Sequence, residues 1–209
     1  MKRLFLASSI DTTGEAIAKE IGKKGLRLLF ITTASEAEGG NMEWFEKDKK
    51  ALVNTGFAIT DYSITGKKME EIEEALKNTD IICMEGGNSF YLLEKIQQTG
   101  CKEMIKDFVE KGKIYIGSSA GSVVAGPDIY PTFIVDSVKK APNLKDFKGL
   151  NLVNFVTLPH WGSEFLKELY LNKRLKLAYS SNNKFILLTD YQYIKVEDDM
   201  YKIVDIREK

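Results

Sequence analysis

Short apolar runs alternate with stretches of helical periodicity along the first 124 residues of the chain. The apolar runs occupy residues 4–7, 26–31, 57–60, 81–84 and 114–116. Between them, apolar residues recur every three or four positions, which predicts helices near residues 16–21, 44–54, 69–76, 91–98 and 104–111. Strands that alternate with helices in this way form a mostly parallel sheet with helices on both faces. The sequence therefore predicts an α/β fold.

The second part of the chain departs from this alternation. Pro127 and Pro131 interrupt it, and we expect loops with short strands up to residue 150. Beyond that point the patterns predict strands at 152–158 and 185–188, a helix at 163–178, and a closing antiparallel hairpin at 191–196 and 200–204. Because the chain has no internal repeat and no linker, residues 1–209 are expected to form a single domain.

Composition and charge exclude several classes of protein. Lysine plus arginine and aspartate plus glutamate number 30 each, so no basic field indicates a nucleic-acid partner. No apolar run is long enough to cross a bilayer, and the N-terminal one is too short for a signal peptide. Cys83 and Cys101 form neither a CxxC pair nor a disulfide framework. We expect a cytoplasmic protein with reduced thiols, no membrane partner, and no metal or other cofactor; its oligomeric state is left open.

A nucleophile elbow is indicated by Gly117, Ser119 and Gly121, which fit the pattern G-x-S-x-G directly after the fifth apolar run. A serine in a tight turn between a strand and a helix has its hydroxyl pushed out above the sheet. The next amide, Ala120 N–H, then points from a helix N-terminus towards a developing oxyanion. A turn of this composition can also be inert or hold a phosphate. The preceding strand favours the elbow, with Ser119 as the nucleophile.

His160 is the chain's only histidine, and it follows a predicted strand and Pro159. Residues just beyond strand ends line the functional crevice of a parallel α/β sheet. A serine hydroxyl needs a base that works near neutral pH, and the sequence offers a single imidazole. If the elbow is real, His160 is therefore its base. A purely structural or surface role for His160 would remove the serine-hydrolase interpretation as well.

Two further positions complete the candidate catalytic site. Gly87 follows the fourth apolar run, and its N–H is the candidate second oxyanion donor opposite Ala120 N–H. The alternative is a plain glycine turn in which Asn88 or Ser89 caps the following helix. Asp190 ends the strand predicted at 185–188 and is the candidate acid that orients the imidazole. The competitors for that role are Asp128, Asp136 and Glu164.

Together these segments resemble the peptidase E family, the aspartyl dipeptidases of serine peptidase family S51, with cyanophycinase as a more distant relative. The matching pieces are Gly14, residues 85–90 with Leu92 and Leu93, and residues 115–121, 134–136, 159–160 and 188–190. The resemblance implies a Rossmann-like α/β domain of the class I glutamine amidotransferase type. It also implies the catalytic order Ser…His…acid, which favours Asp190 over Asp136.

The chain departs from the family pattern in two places. The best-known members have glutamate in a Leu-Pro-Glu-Gly stretch, where this chain has Asp190 in Leu-Thr-Asp-Tyr. Aspartyl specificity in the family relies on arginine after the histidine, and Arg174 is the only arginine between residues 161 and 189. The candidate substrate contacts are Asn88, Arg174 and Trp161, the last as an apolar wall. We expect no strict preference for aspartyl substrates.

The leading hypothesis is a serine exopeptidase that hydrolyses dipeptides or short peptides through Ser119, His160, Asp190 and an acyl-enzyme. A small-molecule esterase or amidase is the nearest alternative, because the same groups cleave both kinds of bond. The non-enzymatic alternative is a flavodoxin-like module that holds a phosphate or nucleotide. Against that module, neither glycine turn fits GxGxxG or the P-loop.

Overall fold

The computed structural model describes residues 1–40, 42–132, 136–179 and 182–208. Its strands are β1 (Arg3–Ala7), β2 (Arg27–Ile31), β3 (Ala58–Tyr62), β4 (Ile81–Met84), β5 (Ile114–Ser118), β6 (Val156–Leu158), β7 (Phe185–Leu187), β8 (Gln192–Glu197) and β9 (Met200–Asp205). Its α-helices are α1 (Ile10–Ile21), α2 (Glu43–Val53), α3 (Met69–Lys77), α4 (Ser89–Thr99), α5 (Lys102–Glu110), α6 (Ala120–Val124), α7 (Lys167–Leu169) and α8 (Leu175–Tyr179). Short 3-10 turns cover Thr33–Ala37, Tyr130–Thr132, Val138–Lys140 and Glu164–Leu166.

Seven strands form one sheet in the order β3-β2-β4-β5-β1-β8-β9. The strands β1 to β5 are parallel to one another, whereas β8 runs antiparallel to β1 and pairs with β9 in a hairpin. The predicted α/β fold, with its mostly parallel sheet and closing antiparallel hairpin, is confirmed. Within the described ranges, no helix combines the length and apolarity that crossing a bilayer requires.

Each face of this sheet carries its own hydrophobic core. Leu4 and Leu6 of β1 belong to one cluster, and Phe5 and Ala7 belong to the other, as the alternation of a strand requires. Burial of each large apolar side chain contributes about 1.5–3 kcal/mol to folding. Cys83, which is buried and carries a free thiol, lies in the second of these cores.

The order of the strands determines where the site forms. The central strands β4, β5 and β1 are neighbours and parallel, so their carboxyl ends meet at one edge of the sheet. The turns that leave these ends contain Gly86 and Gly87 after β4, Ser119 after β5 and Ser8 after β1. Helix α4 begins directly after the first of these turns, where the Asn88 side chain accepts hydrogen bonds from the backbone N–H groups of positions 90 and 91. Three loops from distant parts of the sequence therefore converge there.

The strand predicted over residues 152–158 is shorter in the structure, because β6 covers Val156–Leu158 alone. The backbone N–H groups of Leu150 and Leu152 donate to the carbonyls of Val124 and Ala125, at 2.7 and 2.8 Å. These are carbonyls at the end of α6, which a helix leaves without internal partners. The segment before β6 therefore closes the end of a helix and is not part of a strand ladder.

The structure adds a second sheet and corrects two further sequence expectations. Strands β6 and β7 pair with each other in a separate two-stranded parallel sheet, outside the seven-stranded one. The helix predicted over residues 163–178 is a series of short pieces, with a π-helical turn at Tyr170–Arg174 between α7 and α8. Between residues 125 and 150, the described residues form 3-10 turns and an isolated Asp128–Lys148 bridge where short strands were expected. The motif residues 134 and 135 lie outside the described residues.

Candidate active site

Ser119 lies in a tight turn between β5 and α6, with φ 45° and ψ −105°. A residue other than glycine in such a sparsely populated conformation costs about 1–3 kcal/mol, so the surroundings must hold it. Ser119 N–H donates to the Ala7 carbonyl at 3.1 Å, and Ser119 C=O accepts from the N–H of Ser122 and Val123. At Gly121, a Cβ would lie 2.0 Å from the Met84 carbonyl oxygen, so no larger residue fits against β4. The strand-to-helix elbow predicted from G-x-S-x-G is present in the structure.

The side chains of Ser119, His160 and Asp190 form one continuous chain of hydrogen bonds. Ser119 Oγ lies 2.9 Å from His160 Nε2, and His160 Nδ1 lies 2.7 Å from Asp190 Oδ1. Partial burial acts to raise the pKa of Asp190, but hydrogen bonds from His160 and Ser8 hold it below its ordinary value. An ionised carboxylate accepts a hydrogen bond from Nδ1–H, and Nε2 is then free to accept a hydrogen bond from the serine hydroxyl.

The competing acids have other partners. Asp136 lines the same pocket, but its Oδ2 accepts from the Ser89 N–H at 2.9 Å, and burial raises its pKa. Asp128 accepts from Tyr130 N–H and from the Asn183 amide. The Glu164 side chain is exposed and pairs with Lys167. Among the four candidate acids, Asp190 is the one that contacts the imidazole.

Gly87 and Ala120 are the two residues whose N–H groups the sequence predicted as oxyanion donors. Gly87 lines the pocket with φ 124°, and a Cβ there would lie 2.4 Å from the Ala34 carbonyl oxygen. Glycine is therefore required at this position by both the dihedral angle and the close packing. Ala120 is the first residue of α6. Neither of the two N–H groups donates a hydrogen bond to a described residue.

The three predicted substrate contacts lie in different environments. Asn88 lines the pocket, but its side chain caps α4, and its Nδ2 donates to the Ser137 carbonyl at 3.3 Å. Trp161 is outside the pocket of Ser119 and packs edge-on against Tyr170. Arg174 is also outside it, 2% exposed, and its guanidinium donates to Pro131 O and Tyr170 OH. The structure therefore does not support substrate contacts by Trp161 or Arg174.

The pocket that contains Ser119 and His160 has a volume of about 620 Å³ and carries charges of both signs. Trp44, which the sequence analysis did not select, lines it beside Gly86. The acidic and basic side chains that reach it include Asp11, Asp48, Lys47 and Lys140. A short peptide with free termini carries one charge of each sign, and this lining can contact both.

A pair of carboxyl groups, Asp48 and Glu85, lies directly behind the elbow. Asp48 accepts hydrogen bonds from Asp11 N–H at 3.0 Å and from Ser118 Oγ at 3.2 Å. Glu85 is fully buried, and burial and the nearby charge of Asp48 raise its pKa well above the usual range. Because Asp48 has the other donors, we assign the shared proton to Glu85. Asp48 thus links α1, α2 and the residue before the nucleophile.

The sequence carries a local signal for each acid of this pair. Asp48 lies three residues after Phe45 and four before Leu52, which places it on the apolar face of α2. Glu85 follows the fully buried strand β4 without an intervening polar residue. A charged residue on a buried face needs a partner. Each position therefore indicates an acid with an unusual environment, but neither identifies its partner.

We expect Glu85→Gln to change how stability depends on pH. The folded protein keeps a proton on Glu85 that the unfolded chain releases above pH about 4.3. The proton on Glu85 therefore contributes fully to the free energy of unfolding at low pH. This contribution is lost as the pH rises towards the pKa that Glu85 has in the folded protein, by up to about 1.4 kcal/mol per pH unit. Glutamine removes this loss and can still donate to Asp48. Urea unfolding from pH 5 to 8 should show Glu85→Gln gaining stability relative to the original protein as pH rises.

Glu71→Gln is the matched control for this measurement. Glu71 is exposed, and hydrogen bonds from Lys68 N–H and Lys67 lower its pKa. It is therefore ionised in both the folded and unfolded states above pH 6, so its stability difference from the original protein should be flat there. A flat difference for Glu85→Gln as well would contradict the assignment of a shared proton.

An α/β sheet that carries a serine on a strand-to-helix elbow, with an imidazole nitrogen 2.9 Å from its hydroxyl, defines a serine-type hydrolase. The family follows from comparison with known proteins. The model of peptidase family S51 matches residues 4–204. The chain belongs to this family, and it is a serine-type peptidase.

Similar proteins support the same assignment. An uncharacterized peptidase of Listeria monocytogenes is 34% identical over 195 residues, which cover 93% of this chain and 94% of that protein. Peptidase E of Nostoc sp. is 29% identical over 168 residues, 77% of this chain and 66% of that protein. A crystal structure of a protein assigned to peptidase E, from Listeria monocytogenes EGD-e, has a TM-score of 0.91 at 32% identity and covers 99% of both chains. The resemblance to the peptidase E family is confirmed.

Proposed function

We propose that this peptidase is a serine exopeptidase that cleaves dipeptides or short peptides through Ser119, His160 and Asp190. The observation that carries the proposal is the continuous hydrogen-bond chain from Ser119 Oγ through both imidazole nitrogens to Asp190. Ser119 attacks the scissile carbonyl while His160 takes its proton, and the N–H groups of Gly87 and Ala120 stabilise the oxyanion. The amine leaves with the proton from His160, and water then hydrolyses the acyl-enzyme.

The size and charge of the pocket favour a short substrate with free termini. The volume of about 620 Å³ accommodates a short peptide, and carboxylates and ammonium groups both line the pocket. An endopeptidase would instead need an open cleft for chain on both sides of the bond. We expect free dipeptides to be cleaved, and long peptides blocked at both ends to resist cleavage.

Active-site labelling with a fluorophosphonate tests the nucleophile. We expect one label, on Ser119, and none after Ser119→Ala. Ser118 is the internal control, because it is the adjacent serine but is 1% exposed and donates to Asp48. Absence of label would favour the non-catalytic binding module, and label at another residue would contradict the assignment of Ser119 as the nucleophile. Comparison of dipeptides with simple esters by kcat/KM then separates a peptidase from an esterase.

We also expect no strict preference for an N-terminal aspartyl residue. Recognition of a buried carboxylate normally relies on the fork of an arginine, which binds both oxygens. Arg174 is buried against Pro131 and Tyr170, and the cations among the described lining residues are Lys47 and Lys140. A lysine ammonium is a mobile and well-hydrated charge that discriminates less. A panel of chromogenic Xaa-linked amides and dipeptides, compared by kcat/KM, measures this preference.

The outcome that contradicts this prediction is an aspartyl substrate that exceeds all others by roughly a hundredfold, which one well-placed charged contact can provide. Lys140→Met and Lys47→Met would then identify the responsible cation. Arg174→Ala serves as a comparison, since the loss of a buried guanidinium should lower stability more than it changes the ranking of substrates.

A further inference from the structure

Ser8 contacts both the histidine and the acid of the candidate site. It follows β1 directly and is fully buried. Its Oγ donates to Asp190 Oδ1 at 2.7 Å and accepts from the backbone N–H of His160, also at 2.7 Å. The hydroxyl thus donates a hydrogen bond to the candidate acid and accepts a hydrogen bond from the backbone of the candidate base.

This contact joins two separate parts of the fold. Ser119 follows β5 of the seven-stranded sheet, whereas His160 and Asp190 follow β6 and β7, which form a sheet of their own. Strand β1 lies next to β5, and the Ala7 carbonyl accepts from Ser119 N–H at 3.1 Å. Two consecutive residues, Ala7 and Ser8, therefore contact all three members of the hydrogen-bond chain. The distance between nucleophile and base depends on how the two sheets are held together at this point.

The backbone of His160 needs such an anchor. Its φ of 64° lies in the left-handed region, which residues other than glycine adopt at a cost. Ser8 Oγ accepts its N–H, and its carbonyl accepts from Ser163 N–H at 3.2 Å. If the bond to Ser8 is lost, the His160 N–H loses its acceptor and this backbone conformation loses one of its two anchors. The ring would then be free to move relative to Ser119.

The same hydroxyl also holds the acid. Asp190 Oδ1 accepts from both His160 Nδ1 and Ser8 Oγ, so two donors orient the carboxylate. A carboxylate with a second donor stays ionised more readily and rotates less. Its orientation determines which imidazole nitrogen carries the proton, and only the form with the proton on Nδ1 can accept from Ser119.

We propose that Ser8 is a positioning residue that sets the orientation and tautomer of His160 by holding its backbone N–H and the carboxylate of Asp190 at once. The inference rests on the proposed function for its catalytic consequence. The geometric part, the imidazole tautomer, is independent of turnover.

The test uses the fact that the chain has a single histidine, so 15N-histidine labelling reports on His160 alone. At a pH where the imidazole is neutral, we expect the original protein to show one tautomer, protonated at Nδ1. Ser8→Ala should show a mixture of tautomers, with kcat lowered roughly 10- to 100-fold and KM within about twofold, the effect of one lost hydrogen bond to a charged group. Ser8→Thr, which keeps the hydroxyl, should restore both the single tautomer and most of kcat.

Ser122→Ala is the matched control for the loss of a buried hydroxyl. Ser122 is also fully buried, but its Oγ donates to the backbone carbonyls of Ala7 and Gly117 and contacts neither His160 nor Asp190 among the described residues. It should lower the Tm and leave the imidazole tautomer unchanged. If Ser8→Ala does not fold, Ser8→Cys decides, since the thiol keeps the volume and is a weak donor. A single Nδ1-protonated tautomer in the Ser8 variant that folds, with kcat within twofold, would overturn the proposal.

The failure of the proposed function has a different signature. An original protein that takes no fluorophosphonate label at Ser119 would contradict the catalytic mechanism. The tautomer shift in Ser8→Ala would in that case still decide whether Ser8 holds His160 and Asp190.

Discussion

Replacing Ser119 with alanine is expected to lower kcat by about 10⁶-fold and leave the fold intact. The change removes one oxygen atom, which points to His160 Nε2 and not into either core. Without it no acyl-enzyme forms, and any residual turnover comes from binding and the oxyanion donors. Steady-state kinetics on the best dipeptide of the substrate panel measure the loss, and thermal unfolding verifies that the variant is folded.

His160→Ala and the double variant test whether the two residues act together. Because each is useless without the other, His160→Ala should be about as damaging as Ser119→Ala, and the double variant should be scarcely worse. No second imidazole can substitute for His160, since the chain has one histidine. Additive losses in the double variant would show that His160 is not the base for Ser119, and turnover near the original level in Ser119→Ala would exclude the mechanism.

Asp190→Asn is expected to lower kcat roughly 10⁴-fold with little change in fold. The asparagine amide can donate an N–H to Nδ1, which favours the tautomer with its proton on Nε2. That tautomer cannot accept from Ser119 Oγ. The 15N spectrum of the single histidine should show this change of tautomer, and steady-state kinetics should show the loss of turnover.

Asp136→Asn is the control for Asp190→Asn. Asp136 lines the pocket and accepts from Ser89 N–H, whereas Asp190 accepts from His160 Nδ1. Asp136→Asn should be the milder change and should keep the proton on Nδ1. A severe loss in Asp136→Asn together with a mild one in Asp190→Asn would show that Asp136 is the acid.

The sequence predicted most of the fold because the evidence for each element is local. Apolar runs identified β1 to β5, and the charged residues between 196 and 200 separated the strands of the closing hairpin. The predicted elements that proved wrong are those whose backbone groups bond to residues distant in the sequence. The first residues of the strand predicted from residue 152 cap α6 instead, since the N–H groups of Leu152 and Val153 donate to the Ala125 carbonyl. No local pattern shows that contact.

The sequence was less informative about the surroundings of the candidate site. Ser119 was identified from its motif, and His160 was identified because it is the only imidazole. Trp161 and Arg174 were selected for their positions after His160, but the structure directs both away from the pocket. Ser8 could have been selected by the rule that led to His160, because it also follows the carboxyl end of a strand.

The sequence by itself determined the strand–helix alternation, the elbow at Ser119 and the candidate for its base, because periodicity, glycine spacing and the presence of one histidine are properties of the chain alone. Only the tertiary structure decided which of four acids reaches His160, that Arg174 is buried, and that Asp48 meets Glu85. These outcomes depend on contacts between distant residues, such as the bond from Ser8 to Asp190 across 182 positions. The packing of the two sheets and their helices positions the loops that bring such residues together. Contacts between loops of this kind produce no periodic pattern in the sequence.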